Sequence, residues 1–420
     1  MRLIILALTV VLVLGACGST DAASSTQASL PTLPTVTVEG GLIAVPTEPP
    51  AAPVPTAERG APLPTITATL PTTANPTAEP TVEPLPMNLD PIEVGSVGAD
   101  NILGQHMRSI EQAGLYSGSV LVARRGEILL RHGYGLANRT SRNTATTKFR
   151  IASLTKQFTA VLILRLQEQG KLNIDDRICS YLEFCAPQWA AITIRQLLSH
   201  SSGIPDYTEF LDFDRRQATP TTREELIARF RDEPLTSTPG SVYKYSNSGY
   251  ILLGQILEYI TGMPYADIIK NELCIPLGLN DTDYDHSTAG ADPTLAFGLY
   301  GMGIPADPID ASTLDSAGGL YSTIDDLYRW DRALHDGQVL KPETLALMRT
   351  PQIKNYALGV MRNPLAGMAS VHHDGMASGI RTYLGNFPDP DITVIVLSNY
   401  ENADVVNIAA YLGVLARDMP

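Results

Sequence analysis

Fifteen of the chain's 31 prolines lie between Pro31 and Pro91, and this clustering divides the 420 residues before any other feature is read. Proline fixes φ and carries no N–H, so neither a helix nor a strand ladder can run through such a stretch. The same region is Thr, Ala, Val and Pro and is poor in aromatics. It cannot bury enough apolar surface to offset its ordering entropy, and reads as a semi-extended linker over residues 17–96. The remainder, 97–420, is long enough for one large or two joined folded units.

The N-terminus, MRLIILALTVVLVLGACGST, has one positive charge, a short apolar run and small residues. This is a secretory signal pattern over 1–16, too short for a comfortable membrane span. Leu14-Gly15-Ala16-Cys17 resembles the lipobox of bacterial lipoproteins, which implies cleavage before Cys17 and acylation of its thiol. An ordinary signal peptide with an incidental cysteine is the alternative. With the anchor, the linker becomes a tether, reaching at the limit roughly 250 Å at about 3.1 Å per residue. A formal charge of −14 with no basic run argues against nucleic acid as a partner. Cys179 and Cys185 can close a local disulfide in an exported domain, whereas Cys274, among apolar residues, reads as a buried thiol. No cysteine–histidine cluster has metal-ligand spacing and there is no HExxH, so neither a metal nor a cofactor is expected.

Within the folded part, an opening helix (about 100–114) precedes SGSVLVARRGEILLRHGYG, two strands with a turn at Arg125-Gly126. GIRTYLGNF and DITVIVLSN read as two more strands, followed by a helix at about 403–417. The middle is mostly helical, over 154–169, 194–199, 222–231, 248–261, 264–273 and 324–335. The expected class is α+β, with one antiparallel sheet built from both ends of the chain, flanking helices and a largely helical middle lobe. A site at the seam is the default expectation.

Three short motifs fall at that seam. RIASLTKQFTAVLILRL carries Ser153 and Lys156 at the mouth of a nearly all-apolar helix, where residues three apart share a face. Exposed N–H groups at the helix start suit an oxyanion. A half-desolvated lysine is pushed toward the pKa range where its neutral amine accepts a proton. The second motif is Tyr245-Ser246-Asn247, before an apolar helix that stops at Gly262. The third is His373-Asp374-Gly375, where glycine would let the backbone approach the substrate. Each has a decoy: Ser241 with Lys244, Tyr400 with Asn402, and His335 with Gly337. A surface turn, an N-cap or a packed ring would also explain the single motifs. Only Ser153, Tyr245 and His373 fall in order at a helix start, a loop-to-helix junction and a strand. His200 in SHSSG reads as a packed or capping histidine. No G-x-S-x-G elbow supports a Ser-His-Asp triad.

With these motifs, the stretches FRIASLTKQFTAV, LNIDDRICSYL, ITIRQLLSHSSGIPDY, PGSVYKYSNSGYILLGQILE, CIPLGLNDT, DSAGGLYSTIDDLYRW, HHDG and ITVIVLSN make residues 98–420 resemble the penicillin-recognising serine hydrolases, a family that spans class C β-lactamases, D,D-carboxypeptidases and esterases. The resemblance implies an acyl-enzyme on Ser153, with Lys156 and Tyr245 as a coupled proton-transfer pair. It implies that Asn247 binds a substrate amide, and that the N–H groups of Ser153 and Met376 form the oxyanion hole. The chain departs from the class C pattern in its third motif, His-Asp-Gly instead of Lys-Thr-Gly. A fixed ammonium is lost there, which favours peptide-like amides or esters, cell-wall peptides among them, over β-lactams. Strand alternation turns the Asp374 side chain away from the cleft. A β-lactamase and a non-catalytic penicillin-binding-type sensor lipoprotein are the alternatives.

Overall fold

Val, Ile and Leu dominate both ends of the folded region, and there the chain forms strands. The computed structural model describes residues 95–287, 292–301 and 303–420. The signal segment, Cys17 and nearly all of the linker lie outside them. β1 (Gly118–Arg124) and β2 (Glu127–Tyr134) form a hairpin whose turn residues, Arg125 and Gly126, both take positive φ, 52° and 84°. β3 (Val371–Ala377), β4 (Ile380–Phe387) and β5 (Ile392–Ser398) complete an antiparallel sheet in the order β2-β1-β5-β4-β3. The two termini meet at its centre, with Gly118 opposite Ser398. The His-Asp-Gly motif lies on β3, an edge strand.

Strand alternation divides the sheet between two cores. Val120, Val122, Val394 and Val396 point to one face, against α1 (Ile102–Gln112) and α5 (Val405–Asp418). Leu121, Ala123, Ile395 and Leu397 point to the other, against α2 (Thr155–Glu168) and the helical lobe, which also contains α3 (Asn247–Thr261) and α4 (Ile324–His335). Both faces are covered, which is why these strands read as unbroken apolar runs rather than alternating ones. α2 is buried at every residue from Thr155 to Leu164, as its sequence predicts.

Three features depart from expectation. A second sheet joins Phe149–Arg150, Leu320–Ser322 and Asp283–Tyr284; strands of two or three residues carry no readable period. The helix predicted over 264–273 runs Tyr265–Ile269, widens to a π-turn at Lys270–Cys274 and resumes at Ile275–Leu277. Pro276 offers no N–H to continue the regular ladder there. Ser153 precedes α2 in a 3₁₀ turn, Ala152–Leu154, rather than within the helix. Cys179 and Cys185 are bonded, with Cα atoms 5.2 Å apart. Cys274 is buried and its thiol is pushed up to about 12 by burial, which leaves it unreactive. Among the described residues no helix is long and apolar enough to cross a membrane.

One close crossing positions the site. α3 passes the short helix Asp315–Gly318 at Gly254, where a Cβ would lie 2.2 Å from Ser316 Oγ and 2.7 Å from its Cβ. This contact sets the depth at which the Ala317 carbonyl faces α2. Gly254→Ala should therefore destabilise the fold by about 1–3 kcal/mol through overpacking, despite alanine's better helix propensity. Urea denaturation of the two proteins measures it, and equal midpoints would refute it.

Candidate active site

Ser153, Lys156 and Tyr245 converge. Lys156 Nζ lies 3.1 Å from Ser153 Oγ, and the Tyr245 hydroxyl donates to that oxygen at 2.9 Å. Lys156 has no exposed surface. Its Nζ also donates to Asn247 Oδ1 and to the Ala317 carbonyl, each at 2.8 Å. Those two acceptors match the two hydrogens of a neutral amine, leaving its lone pair for the Ser153 proton. Burial lowers the Lys156 pKa to about 7, against the opposing pull of the Asp206 and Asp374 charges. Burial drives the Tyr245 phenol well above its usual value, so it stays protonated at neutral pH. Of the coupled pair, lysine is thus the group poised to accept a proton and tyrosine the one poised to donate.

The backbone supplies the complementary electrophilic site. Ala152 takes φ +46°, an unfavourable conformation for a residue with a side chain, immediately before Ser153. β3 runs past this turn so closely that a Cβ on Gly375 would sit 2.7 Å from the Ile151 carbonyl and 3.1 Å from Ser153 N. Gly375 thus lets the strand approach the turn that carries Ser153. Both backbone groups of His372 bond to Met361, on the side away from β4. Strand alternation therefore points the Met376 N–H to the same open edge, near Ser153 N. His373 and Gly375 share the face toward Ser153. Asp374 and Met376 take the other, and the Met376 side chain is 64% exposed.

Asn247 borders the cleft. Its amide donates to Asp206 Oδ2 at 3.0 Å and to Thr208 Oγ1 at 3.1 Å, and its oxygen accepts from Lys156, so it orders the lysine. It is the first residue of α3, and Ser246 occupies the N-cap position. Asp206, which sequence reading missed, anchors Asn247, and its own buried carboxyl is raised by desolvation. Its only signal was its place in the quoted stretch SHSSGIPDY. The decoys fall elsewhere: Ser241 bonds the Thr238 carbonyl, Lys244 pairs with Glu209 at 3.7 Å, Tyr400 follows β5 and His335 ends α4.

These groups open on a cleft of about 660 Å³, bordered by Asp206, Glu209, Asp214, Tyr243, His373 and Glu401 among others. No lysine or arginine is among the residues that border it. Among the described residues no group of three or more His, Cys, Asp or Glu side chains could hold a metal.

Residues 99–417 match the beta-lactamase family. Penicillin-binding protein 4* of Bacillus subtilis (strain 168) is 30% identical over 316 residues, 68% of this chain and 68% of that protein. The putative penicillin-binding protein PbpX of the same organism is 31% identical over 295 residues, 68% of this chain and 71% of that one. Among solved structures, the octameric penicillin-binding protein homologue from Pyrococcus abyssi superposes with a TM-score of 0.68 at 28% identity, covering 75% of this chain and 76% of that one.

The lowered lysine pKa has a signed consequence. If the neutral amine is the working form, kcat/KM for any acyl donor should rise with pH through about 7 and be lost below it as Lys156 takes up a proton. Tyr245→Phe should lower kcat by about 10²–10⁴-fold. A pH–rate profile flat from pH 5 to 8 would remove Lys156 from the role of base.

Proposed function

The chain belongs to the beta-lactamase family, and we propose that it is an exported, lipid-anchored serine hydrolase that acylates Ser153 with peptide-like amides or esters. The observation that carries this reading is the environment of Lys156. Two carbonyl oxygens occupy two of its hydrogens and the serine takes its third position, with a protonated tyrosine on the far side of that serine.

Ser153 Oγ attacks the carbonyl carbon as its proton passes to Lys156. The developing oxyanion faces the N–H groups of Ser153 and Met376. Tyr245 delivers its proton to the departing amine or alcohol as the bond to the carbonyl carbon breaks, and is left as a phenolate near the protonated Lys156. Water then attacks the acyl carbon as the phenolate takes its proton, and Lys156 returns its proton to Ser153 Oγ as the acyl C–O bond breaks and the acid leaves.

The cleft border supports substrates without a carboxylate beside the scissile bond. No lysine or arginine borders the cleft, and such a group would face Asp206 and Asp214, whereas Glu209 and Glu401 are offset by Lys244 at 3.7 Å and Arg381 at 3.9 Å. His373, standing where a β-lactamase would carry lysine, is neutral: burial and the nearby Lys156 charge depress it to about 3. This weighs against a dedicated β-lactamase and toward a peptidase, amidase or esterase. The anchor and the envelope location rest on Leu14-Gly15-Ala16-Cys17 and the apolar run before it.

A fluorophosphonate should add to Ser153, seen as a mass shift on its peptide, and Ser153→Ala should lose both the adduct and all ester hydrolysis while staying folded. Hydrolysis unchanged in Ser153→Ala would overturn the assignment; a folded chain with neither adduct nor turnover would point to a ligand-binding lipoprotein. Among matched p-nitrophenyl esters, neutral and amine-bearing acyl groups should exceed carboxylate-bearing ones in kcat/KM by about tenfold or more. In a bacterial host, Cys17→Ser should abolish incorporation of labelled fatty acid and release the protein from the membrane fraction. Label retained in that variant would refute the anchor.

A further inference from the structure

The mechanism above leaves unused a row of buried polar side chains behind Tyr245. We propose that His200, Tyr356 and His373 form a hydrogen-bond chain of fixed polarity that holds Tyr245 and the oxyanion edge of β3 in register; the inference rests on the acyl-enzyme reading for its purpose, but not for its geometry.

The polarity is set independently from both ends. At one end the Ser246 N–H, which can only donate, meets His200 Nδ1 at 3.1 Å. That nitrogen must be an acceptor, so a neutral His200 carries its proton on Nε2, 3.1 Å from the Tyr356 hydroxyl. At the other end His373 Nδ1 lies 2.6 Å from the Asp374 carbonyl, which can only accept. Nδ1 therefore carries the proton, and Nε2 is left to accept from Tyr356 at 2.9 Å. The phenol receives from His200 and gives to His373, so both assignments agree at the one residue they share. Charging His200 would break the pattern, because it would set an N–H against the Ser246 N–H; charging His373 would instead turn the Tyr356 proton toward the Tyr250 hydroxyl, with which Tyr356 also bonds.

Each end of the chain grips a working part. The His200 ring packs on the Tyr245 ring with centroids 4.1 Å apart, and the His200 carbonyl accepts the Lys244 N–H at 2.9 Å. Residues 244–246 are thereby held from both sides of Tyr245. The Asp374 carbonyl lies on the open edge of β3, the edge that presents the Met376 N–H. The chain thus ties the proton donor for the leaving group to the strand that stabilises the oxyanion. His200 also sits at φ +55°, in the left-handed region that is unfavourable for a residue with a side chain. Glycine or asparagine would relieve that strain but would not join the chain, so the imidazole has a use that offsets its backbone cost. The titratable groups facing His200 are Lys156, His373, Tyr243, Tyr245, Tyr250 and Tyr356; those facing His373 are Lys156, Tyr245, Tyr356, His372 and Asp374. These are positioning residues, acting through Tyr245 and β3.

Nitrogen-15 spectra of the imidazoles in the full exported chain read the tautomers directly. His200 should be protonated on Nε2 only and His373 on Nδ1 only, both unchanged from pH 6 to 8. The reverse tautomer, or a cation, at either ring would overturn the chain without any variant being needed. Tyr356→Phe removes one hydroxyl and should lower kcat about 10–100-fold, with KM altered less than threefold and Ser153 phosphonylation slowed in step. A folded Tyr356→Phe with wild-type kcat would overturn the positioning role. The tautomers are read without substrate, so their failure and a failure of Ser153 to acylate are separate results.

Discussion

The structure is organised around the cost of putting an amine where water cannot reach it. Lys156 projects from a helix buried at every residue from Thr155 to Leu164, and its side chain has no exposed surface for water to solvate. The protein replaces that solvation with the Asn247 and Ala317 carbonyl oxygens, the Ser153 hydroxyl, and the faces of Tyr245 and Tyr250, whose ring centroids lie 4.9 and 5.4 Å away. Each substitute commits another element. Asn247 fixes the start of α3 and is itself held by Asp206. Ala317 fixes the short helix Asp315–Gly318, whose first residue is strained at φ +41° and clamped by Arg223 at 2.5 and 2.9 Å. Arg223 is held in turn by Glu258 of α3 at 2.5 Å. The helical lobe can be read outward from one nitrogen as the set of supports needed to keep it partly neutral and aimed at a serine.

The incomplete solvation is also the chemistry. A fully satisfied ammonium would be a structural cation with its pKa near the ordinary value. Burial brings Lys156 down to about 7 despite its two strong acceptors, and there both forms are populated. The serine is held between a raised phenol and a lowered amine, and the difference between those two environments assigns direction to the proton's path.

What could be read from residues alone follows from the range of the interactions. Ser153 and Lys156 were legible because they lie on one local element beside an apolar run, and β1 and β5 because burial on both faces leaves continuous Val, Ile and Leu, whereas β3, Val-His-His-Asp-Gly-Met-Ala, has no such run and was placed on a strand only through its motif. The order of Tyr245 and His373 relative to the serine mattered more than any single tetrapeptide. Asp206, Tyr356 and the true partners of Asn247 were not legible, because each contact joins segments with no shared period and no motif. His200 read as packing, which it is, but its strained φ and the tautomer it must adopt exist only once Ser246 and Tyr356 are beside it. Gly375 was singled out for the absence of a Cβ, but its neighbour across the gap, the Ile151–Ser153 turn, lies far away in sequence, and that approach carries no readable signal.

The pairing of β1 with β5 has a consequence for how the activity is born. The first strand of the sheet lies beside the last, so the sheet cannot close until the final residues of the chain have been made. Ser153, Lys156 and Tyr245 leave the ribosome well before β3, β4 and β5 do. Until those strands dock, the turn that carries Ser153 has no Met376 N–H beside it. A nascent molecule can therefore hold Ser153, Lys156 and Tyr245 together with the helical supports of the lysine and still lack the strand edge that faces the serine, so the two halves of the candidate site are completed at different times.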